Sequence, residues 1–181
     1  MTTRTDKQAA IQGFLDSISV ERINALADSV IKNSFEELLA QLNADAGAVW
    51  VVAESADEIT IAVNVGLRGN TIEGQVSQKL ERGLVSKAFR DDQIISDEGL
   101  LPHSEKSADV DCQLGQMTVH QIAAPFKLFD TRIGAVTIIQ TVTNENTRKK
   151  QWGFNENAVE SFGRWIQVAQ RLFEYECLKS M

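Results

Sequence analysis

The sequence contains few of the residues from which metal sites and disulfides are built. Its 181 residues include only two cysteines, Cys112 and Cys177, and two histidines, His103 and His120. The cysteines form neither a disulfide framework nor a Cys-x-x-Cys pair. A zinc site would need nearly all four side chains, and no two of them stand at a standard ligand spacing. The sequence therefore predicts no structural metal, and it identifies no cofactor.

Basic residues and long apolar runs are also scarce. The chain has 18 Lys and Arg against 25 Asp and Glu, for a formal net charge of -7. Nucleic-acid binding usually needs a clustered basic surface, and the densest basic run, residues 148–150, is short and typical of a solvated turn. No stretch approaches the roughly 18 apolar residues of a membrane span, and the N-terminus lacks the apolar core of a signal peptide. We expect a cytoplasmic protein with no nucleic-acid partner and no membrane insertion.

The N-terminal part of the chain predicts helices. Residues 5–17 form a short amphipathic stretch, and Ser19 is a plausible N-cap for a longer segment that continues to Leu42. Its apolar residues recur at steps of three and four in a nearly heptad stripe, which fits a helix–helix seam between two subunits. Packing on the domain's own sheet is the alternative for the same stripe. We predict a helical segment over residues 1–45 and a single domain over residues 46–181.

Four strands are predicted from apolar patterns. Residues 46–52 are almost continuously apolar, as in a strand covered on both faces. Residues 58–65 alternate, which predicts a strand with one wet face near a sheet edge. Residues 118–127 and 133–142 flank a turn at residues 129–131.

A long amphipathic helix is predicted to open near Asn155 and to close the fold. One of its faces carries Ala158, Phe162, Trp165, Ile166, Ala169, Leu172 and Phe173. Such a stripe of apolar residues is typical of a helix packed on a sheet or on another helix.

The middle of the chain is less regular. A glycine-rich turn at residues 66–74 precedes a short helix at 84–89 and a short strand at 93–96. Residues 97–116 form a long irregular stretch, typical of a lid or a binding loop. The order of elements predicts an α+β fold: a mostly antiparallel sheet has the N- and C-terminal helices on one face and the short helix and long loop on the other. That arrangement leaves room for a ligand beneath the loop.

Three stretches resemble the GAF domain, a profilin-like fold related to PAS domains. They are residues 81–97 (ERGLVSKAFRDDQIISD), residues 122–139 (IAAPFKLFDTRIGAVTII) and residues 154–173 at the entry to the closing helix. The resemblance runs from Ala46 to about Leu178. It implies a ligand pocket between sheet and lid, and dimerisation through the terminal helices.

The signatures of two ligand-binding groups in this family are incomplete here. Members that bind cyclic nucleotides carry paired acids after a phenylalanine; Phe154 fits, but Ala158 and Val159 stand at the positions of the acids. Members that bind bilins attach the pigment to a cysteine usually followed by histidine, whereas Cys112 is followed by Gln113.

The family also includes an enzyme that reduces free methionine sulfoxide with a nucleophilic thiol and resolving cysteines. Cys112 falls close to the nucleophile, but Val85 stands at the position of a partner cysteine and Ser86 at that of a glycine. A single thiol that forms a sulfenic acid has no internal resolving partner. The sequence favours a protein that is not an enzyme.

Eight residues are candidates for contacts in the predicted pocket: Trp50, Asp97, His103, Cys112, Met117, His120, Gln121 and Gln140. Charged residues of a lid loop are usually solvated, and a hydrogen-bonded core position is the alternative for His120. The favoured hypothesis is a sensory or regulatory domain that binds an unidentified small molecule and signals, as a homodimer, to a separate output protein or domain. The others are a degenerate domain that serves for dimerisation or docking, and a thiol redox enzyme or sensor that uses Cys112.

Overall fold

A computed structural model describes residues 4–52, 57–97, 108–142 and 152–181 of the chain. In these ranges the helices are α1 (Arg4–Leu15), α2 (Val20–Leu26), α3 (Ser29–Gln41), the 3-10 helix η1 (Gly69–Ile72), α4 (Leu84–Asp91), α5 (Ala108–Leu114) and α6 (Glu156–Ser180). The strands are β1 (Ala46–Val52), β2 (Glu58–Gly66), β3 (Ser77–Lys79), β4 (Ile95–Asp97), β5 (Met117–Leu128) and β6 (Thr131–Val142).

The strands form one six-stranded sheet in the order β3-β2-β1-β6-β5-β4, with every neighbouring pair antiparallel. Its longest hairpin joins β5 to β6 through Phe129 and Asp130, which have φ angles of 49° and 62°. Positive φ at both central residues suits a tight hairpin whose turn follows the twist of the strands. The predicted α+β architecture and this hairpin are confirmed.

The terminal helices cover one face of the sheet and form the larger core with it. Phe14 of α1, Ile23 of α2 and Phe35 of α3 are buried there with the inner face of α6. That inner face presents Phe162, Ile166, Ala169, Phe173 and Cys177. Most of the predicted apolar face of α6 is therefore confirmed as core, and the N-terminal helices share this core.

The predicted single helix from Val20 to Leu42 is wrong, because the chain breaks between α2 and α3. Ala27 leaves the helical conformation with a ψ angle of 78°, and the Asp28 side chain then accepts a hydrogen bond from the backbone N–H of Ile31 at 2.9 Å. Asp28 is thus the N-cap of α3. Ser19 caps α2 as predicted.

A β-bulge changes which residues of β2 face each side of the sheet. Val49 pairs with Val63 and Trp50 with Ile61, so Ala62 is the extra residue. Ile59 and Ile61 consequently face away from the terminal helices, whereas Val63 and Val65 pack against them. The predicted position near a sheet edge is confirmed, since β2 is second from the edge. The predicted wet face is wrong, because Glu58 and Thr60 are only half-exposed and Asn64 is buried.

The second face of the sheet is covered by α4, α5 and the segment from η1 to β3. Val85 of α4 and Val110 and Leu114 of α5 are buried there with Trp50, Ile59 and Ile61. Helix α4 lies where the sequence predicted it. The stretch from residue 97 to 116 was predicted to be irregular, but its described part contains α5, while residues 98–107 lie outside the described ranges.

Candidate functional site

A cavity of about 70 Å³ lies between the second face of the sheet and α5. A single water needs roughly 10–15 Å³ by the same kind of measure, so the space is larger than one solvent molecule. Ala48 on β1 and Thr137 on β6 are neighbours on its sheet side. Their short side chains leave room that larger residues would fill.

One side of the cavity is apolar. Trp50 and Ile61, cross-strand partners on β1 and β2, meet Val110 and Leu114 of α5 there, with Val85 of α4 beside them. Such a surface accommodates the hydrocarbon part of a ligand.

The other side is a polar strip across β6, β5 and β4. Asp97 is 6% exposed and pairs in register with Gln121. The Gln121 amide nitrogen donates to the Thr137 hydroxyl at 2.9 Å, and that hydroxyl donates to the carbonyl of Ile122, also at 2.9 Å. The strip is therefore ordered by hydrogen bonds within the protein.

Trp50, whose side chain is one of those that line the cavity, has a buried indole N–H. Trp50 is only 3% exposed, and its Nε1 has no hydrogen-bond partner among the residues that the structure describes. Leaving a buried donor unpaired costs about 1–3 kcal/mol. A ligand that supplies an acceptor here would recover that free energy.

Two contacts fasten α5 over the cavity. Arg68, which precedes η1, donates to the carbonyl of Leu114 at the end of α5. Asp111 accepts from the backbone N–H of Thr118 at 2.8 Å and from its hydroxyl at 2.7 Å. Arg68 and Asp111 therefore hold α5, the helix that covers the cavity, in place.

Three of the eight candidate residues come together at this cavity: Trp50, Asp97 and Gln121. Cys112 lies exposed on α5 and Met117 exposed at the start of β5, and neither lines the cavity. His103 lies outside the described residues.

The other two candidates lie on the side of the sheet that α6 covers. Gln140 is fully buried, donates to the carbonyl of Asn43 at 3.1 Å and accepts from the N–H of Gly153 at 2.8 Å. His120 is its partner in the β5–β6 register and lies near Trp152, with 6.5 Å between ring centroids. Successive residues of a strand point to opposite faces, so His120 and Gln121 do not share a pocket.

The sequence pattern did not identify several polar residues of the cavity wall: Asn64, Arg68, Gln78, Asp111 and Thr137. Asn64 and Thr137 lie in strands, where a polar residue among apolar ones is typical of a solvent-facing position. Gln78 donates to the Ser86 hydroxyl at 2.7 Å and is buried. The signal that identifies such residues is burial, which the sequence does not show directly.

The two cysteines lie on opposite sides of the sheet. Cys112 is on α5, whereas Cys177 is buried in α6 against the larger core. Burial raises the pKa of the Cys177 thiol above its usual value, which lowers its reactivity at neutral pH. The two thiols are therefore not placed to react with each other.

The described ranges offer neither a cluster of metal ligands nor a membrane-spanning helix. No group of three or more His, Cys, Asp or Glu side chains there is arranged to hold a metal ion. Among the helices in those ranges, none combines the length and apolarity needed to cross a membrane.

The chain has the fold of a GAF domain. Over the full length of both chains it is similar to the GAF domain of a phosphoenolpyruvate-protein phosphotransferase from Acinetobacter, with a TM-score of 0.62 and 12% identity. The GAF-B domain of DevS from Mycobacterium smegmatis matches with a TM-score of 0.60 and 17% identity, over 84% of this chain and 96% of that one. No protein-family model and no curated protein sequence matches the chain.

The same fold occurs in an enzyme. Free methionine-R-sulfoxide reductase from Neisseria meningitidis, solved in complex with its substrate, matches with a TM-score of 0.61 and 14% identity, over 100% of this chain and 98% of that one. Likeness at this level of identity shows a shared fold, which regulatory domains and reductases have in common.

Proposed function

We propose that this protein is a sensory or regulatory domain that binds a small molecule between its sheet and α5. The observation that carries the proposal is an ordered cavity lined by Trp50, a residue whose buried indole N–H has no hydrogen-bond partner in the described ranges. A cavity that served only for packing would be expected to leave no buried donor unpaired at its wall.

The size of the cavity supports a compact ligand. About 70 Å³ is enough for a molecule of a few non-hydrogen atoms. A cyclic nucleotide or a bilin is much larger and would require α5 to move away. The incomplete signatures of those two ligand groups in the sequence agree with a smaller molecule.

We also propose that the protein signals as a homodimer through α6. Trp165, Val168, Leu172 and Tyr175 follow one another at steps of three, four and three residues, as in a coiled-coil seam. Val168 is 58% exposed and Tyr175 63%. Val30 on the adjacent α3 is exposed as well. A second copy of the protein that packs on these side chains would remove a stripe of apolar surface from water.

A short series of contacts connects the cavity strand with this stripe. Gly47 of β1 precedes Ala48, and a β-carbon on Gly47 would lie 2.4 Å from the Phe35 ring. Phe35 in turn stacks on Trp165, with 4.3 Å between ring centroids. A ligand that shifts β1 would thereby bias the packing of α6, and coupling of this kind usually amounts to about 1–3 kcal/mol.

The geometry does not favour the thiol chemistry of the reductase. In the described part of the chain the cavity wall contains no cysteine, and Cys112 is exposed on α5. We therefore do not propose that this protein reduces methionine sulfoxide.

The proposal is tested by identifying what the protein carries. Small molecules released from purified protein are analysed by mass spectrometry, and a metabolite library is screened by thermal shift. An Ala48→Leu variant should lose all stabilisation by the identified compound, because the larger side chain fills the cavity.

Ala9→Leu is the matched control, since it makes the same change at an exposed position of α1. Stabilisation that survives Ala48→Leu would place the binding site elsewhere. If nothing is released and nothing stabilises the wild-type protein, the domain acts only in dimerisation or docking.

A further inference from the structure

We infer that helix α2 controls how firmly α5 closes over the cavity, through a chain of hydrogen bonds at one edge of the sheet. The chain begins at Asn24 on α2, passes through Glu73 and Asn64, and ends where Arg68 holds α5. This inference rests on the proposed function, since α5 covers the proposed ligand cavity. The N-terminal helices thereby regulate entry to that cavity.

The Glu73 carboxylate completes the edge of β2 where β3 no longer accompanies it. In the described ranges β3 pairs with residues 58–60 of β2, so Asn64 lies beyond the end of this pairing. The backbone N–H of Asn64 donates instead to Glu73 Oε1 at 2.9 Å. A buried backbone donor requires such a partner, so Glu73 is tied to the strand that borders the cavity.

The same carboxylate binds α2. Its second oxygen accepts from the side-chain amide of Asn24 at 2.5 Å. That amide also donates, at 2.8 Å, to the carbonyl of Ala62, the extra residue of the β-bulge. Both N–H groups of the Asn24 amide are thus committed to this edge of the sheet, and Glu73 joins α2 to β2.

The next step leads from Asn64 to Arg68. The Asn64 side-chain amide donates to the carbonyls on both sides of Arg68, to that of Leu67 at 2.9 Å and to that of Gly69. Arg68 has a φ angle of 68°, a left-handed conformation that a residue other than glycine keeps only when its surroundings hold it there. Since Asn64 is buried, its two bonds are well placed to do so.

The last step reaches the cover of the cavity. Arg68 donates to the carbonyl of Leu114, a cavity-lining residue at the end of α5. A separate contact joins Asp111 of α5 to Thr118 of β5. The cover thus has two fastenings, of which the one through Arg68 leads to α2 and the other leads to the sheet.

These bonds couple elements on opposite faces of the sheet. When α2 moves away from β2, Glu73 and the segment that presents Arg68 lose an anchor, and the fastening through Asp111 alone remains. Coupling free energies are reciprocal, so a ligand that holds α5 closed also holds α2 on the sheet.

Hydrogen exchange of the complete protein, without any ligand, tests this coupling. The N–H groups of Gly115 and Gln116 donate to carbonyls of α5, so their exchange reports opening at the end that Arg68 holds. Exchange in the middle of β6, where Val136 is fully buried, reports global unfolding and serves as the reference.

Asn24→Asp removes both donors of the α2 contact and places a second carboxylate beside that of Glu73. Exchange at the end of α5 should become about three- to tenfold faster relative to β6, the factor that corresponds to one net hydrogen bond. Ala25→Asp is the matched control, because it introduces the same charge at the neighbouring exposed position of α2 and should leave α5 unchanged. Adding Glu73→Gln to Asn24→Asp should restore slow exchange, since the glutamine amide donates to the new aspartate while its oxygen keeps the bond to Asn64.

Combined variants trace the route. Arg68→Ala should speed exchange about as much as Asn24→Asp, and combining the two should add little, because both interrupt the same chain. Thr118→Val removes the hydroxyl donor to Asp111 and should add its full effect to that of Asn24→Asp.

The outcomes separate this inference from the function on which it rests. If α5 in Asn24→Asp exchanges no faster than in the wild type, or faster only in proportion to β6, the inference is overturned and the ligand cavity stands. Full additivity of Asn24→Asp with Arg68→Ala overturns it as well. A ligand screen without any hit removes the proposed function, whereas faster exchange in Asn24→Asp would still establish the coupling. Should Asn24→Asp fail to fold, Asn24→Ala removes the donors without adding charge and provides the same comparison.

Discussion

Gly134 lies where β6 passes so close to β1 that no side chain fits. A β-carbon at this position would lie 1.8 Å from the carbonyl oxygen of Trp50, a backbone atom held within the sheet. The Gly134→Ala variant should therefore lose about 2–4 kcal/mol of unfolding free energy, because relief of the clash has to separate two paired strands. Urea denaturation followed by circular dichroism measures the loss.

Gly13 provides the opposite case for comparison. It lies in α1, and a β-carbon there would meet no atom within 4 Å. Gly13→Ala should raise stability by about 0.5–1 kcal/mol, the usual gain from replacing glycine inside a helix. Equal stability of Gly134→Ala and the wild type would show that the strands tolerate the added methyl group.

Which single residues reach the cavity could be predicted only in part. Trp50, Asp97 and Gln121 were identified as polar or aromatic residues within strands or at a strand end, and the structure brings them together. Gln140 points to the other face, and the alternation of residues 58–65 predicts a solvent-facing Asn64, which is buried. The face of a strand residue depends on cross-strand register and bulges, and one shift reverses it.

A single residue, Asp28, determines where α3 begins after the break that follows α2. Asp28 caps α3 by accepting from the N–H of Ile31, and its carboxylate lies at the positive end of the helix. Asp28→Ala should lower the unfolding free energy by about 1 kcal/mol, the usual cost of losing an N-cap. Thermal or urea denaturation measures the change.

Asp28→Asn is the matched control for this cap. Asparagine keeps an oxygen acceptor and caps about as well as aspartate, so its unfolding free energy should stay close to that of the wild type. A loss as large in Asp28→Asn as in Asp28→Ala would show that charge, and not the cap bond, stabilises the start of α3.

Long apolar patterns in the sequence predicted the positions of helices and strands well. Helix breaks and short elements were not predicted. Strand β1 and the start of α6 at Asn155 lie where the sequence placed them. The apolar stripe continued from Ile23 through Ala27 to Ile31, so periodicity alone gave one helix and concealed the cap at Asp28. Strand β3 and α5 are only 3 and 7 residues long, too short to show a period.

The molecule as a whole presents the stripe of Trp165, Val168, Leu172 and Tyr175 to one side. In a parallel pair of helices with this stripe as the seam, Arg171 of one subunit lies opposite Glu176 of the partner subunit, because residues five apart flank the seam on facing helices. The two charges are opposite in sign, which favours a parallel second copy over an antiparallel one. Within one chain Arg171 pairs with Glu174 at 2.8 Å and Glu176 with Lys179 at 2.9 Å, so in the proposed dimer each would exchange or share its partner across the seam.

Val168→Glu should convert the proposed dimer to a monomer, because it places two carboxylates against each other within an apolar seam. Gln167→Glu makes the same change in charge at the exposed neighbouring position and should leave the dimer intact. Sedimentation equilibrium over a range of concentrations measures the dissociation constant of each. A monomeric wild type, or a dimer that survives Val168→Glu, would exclude α6 as the interface.

The orientation of the two helices is tested by exchanging the flanking charges. Arg171→Glu should raise the dissociation constant about three- to tenfold, since exposed charge pairs contribute a few tenths to one kcal/mol each and the change occurs twice per dimer. Adding Glu176→Arg in the same chain should restore the affinity in a parallel dimer, where the exchanged charges meet again. In an antiparallel dimer these two positions do not face each other, so the double variant would remain as weak as the single one.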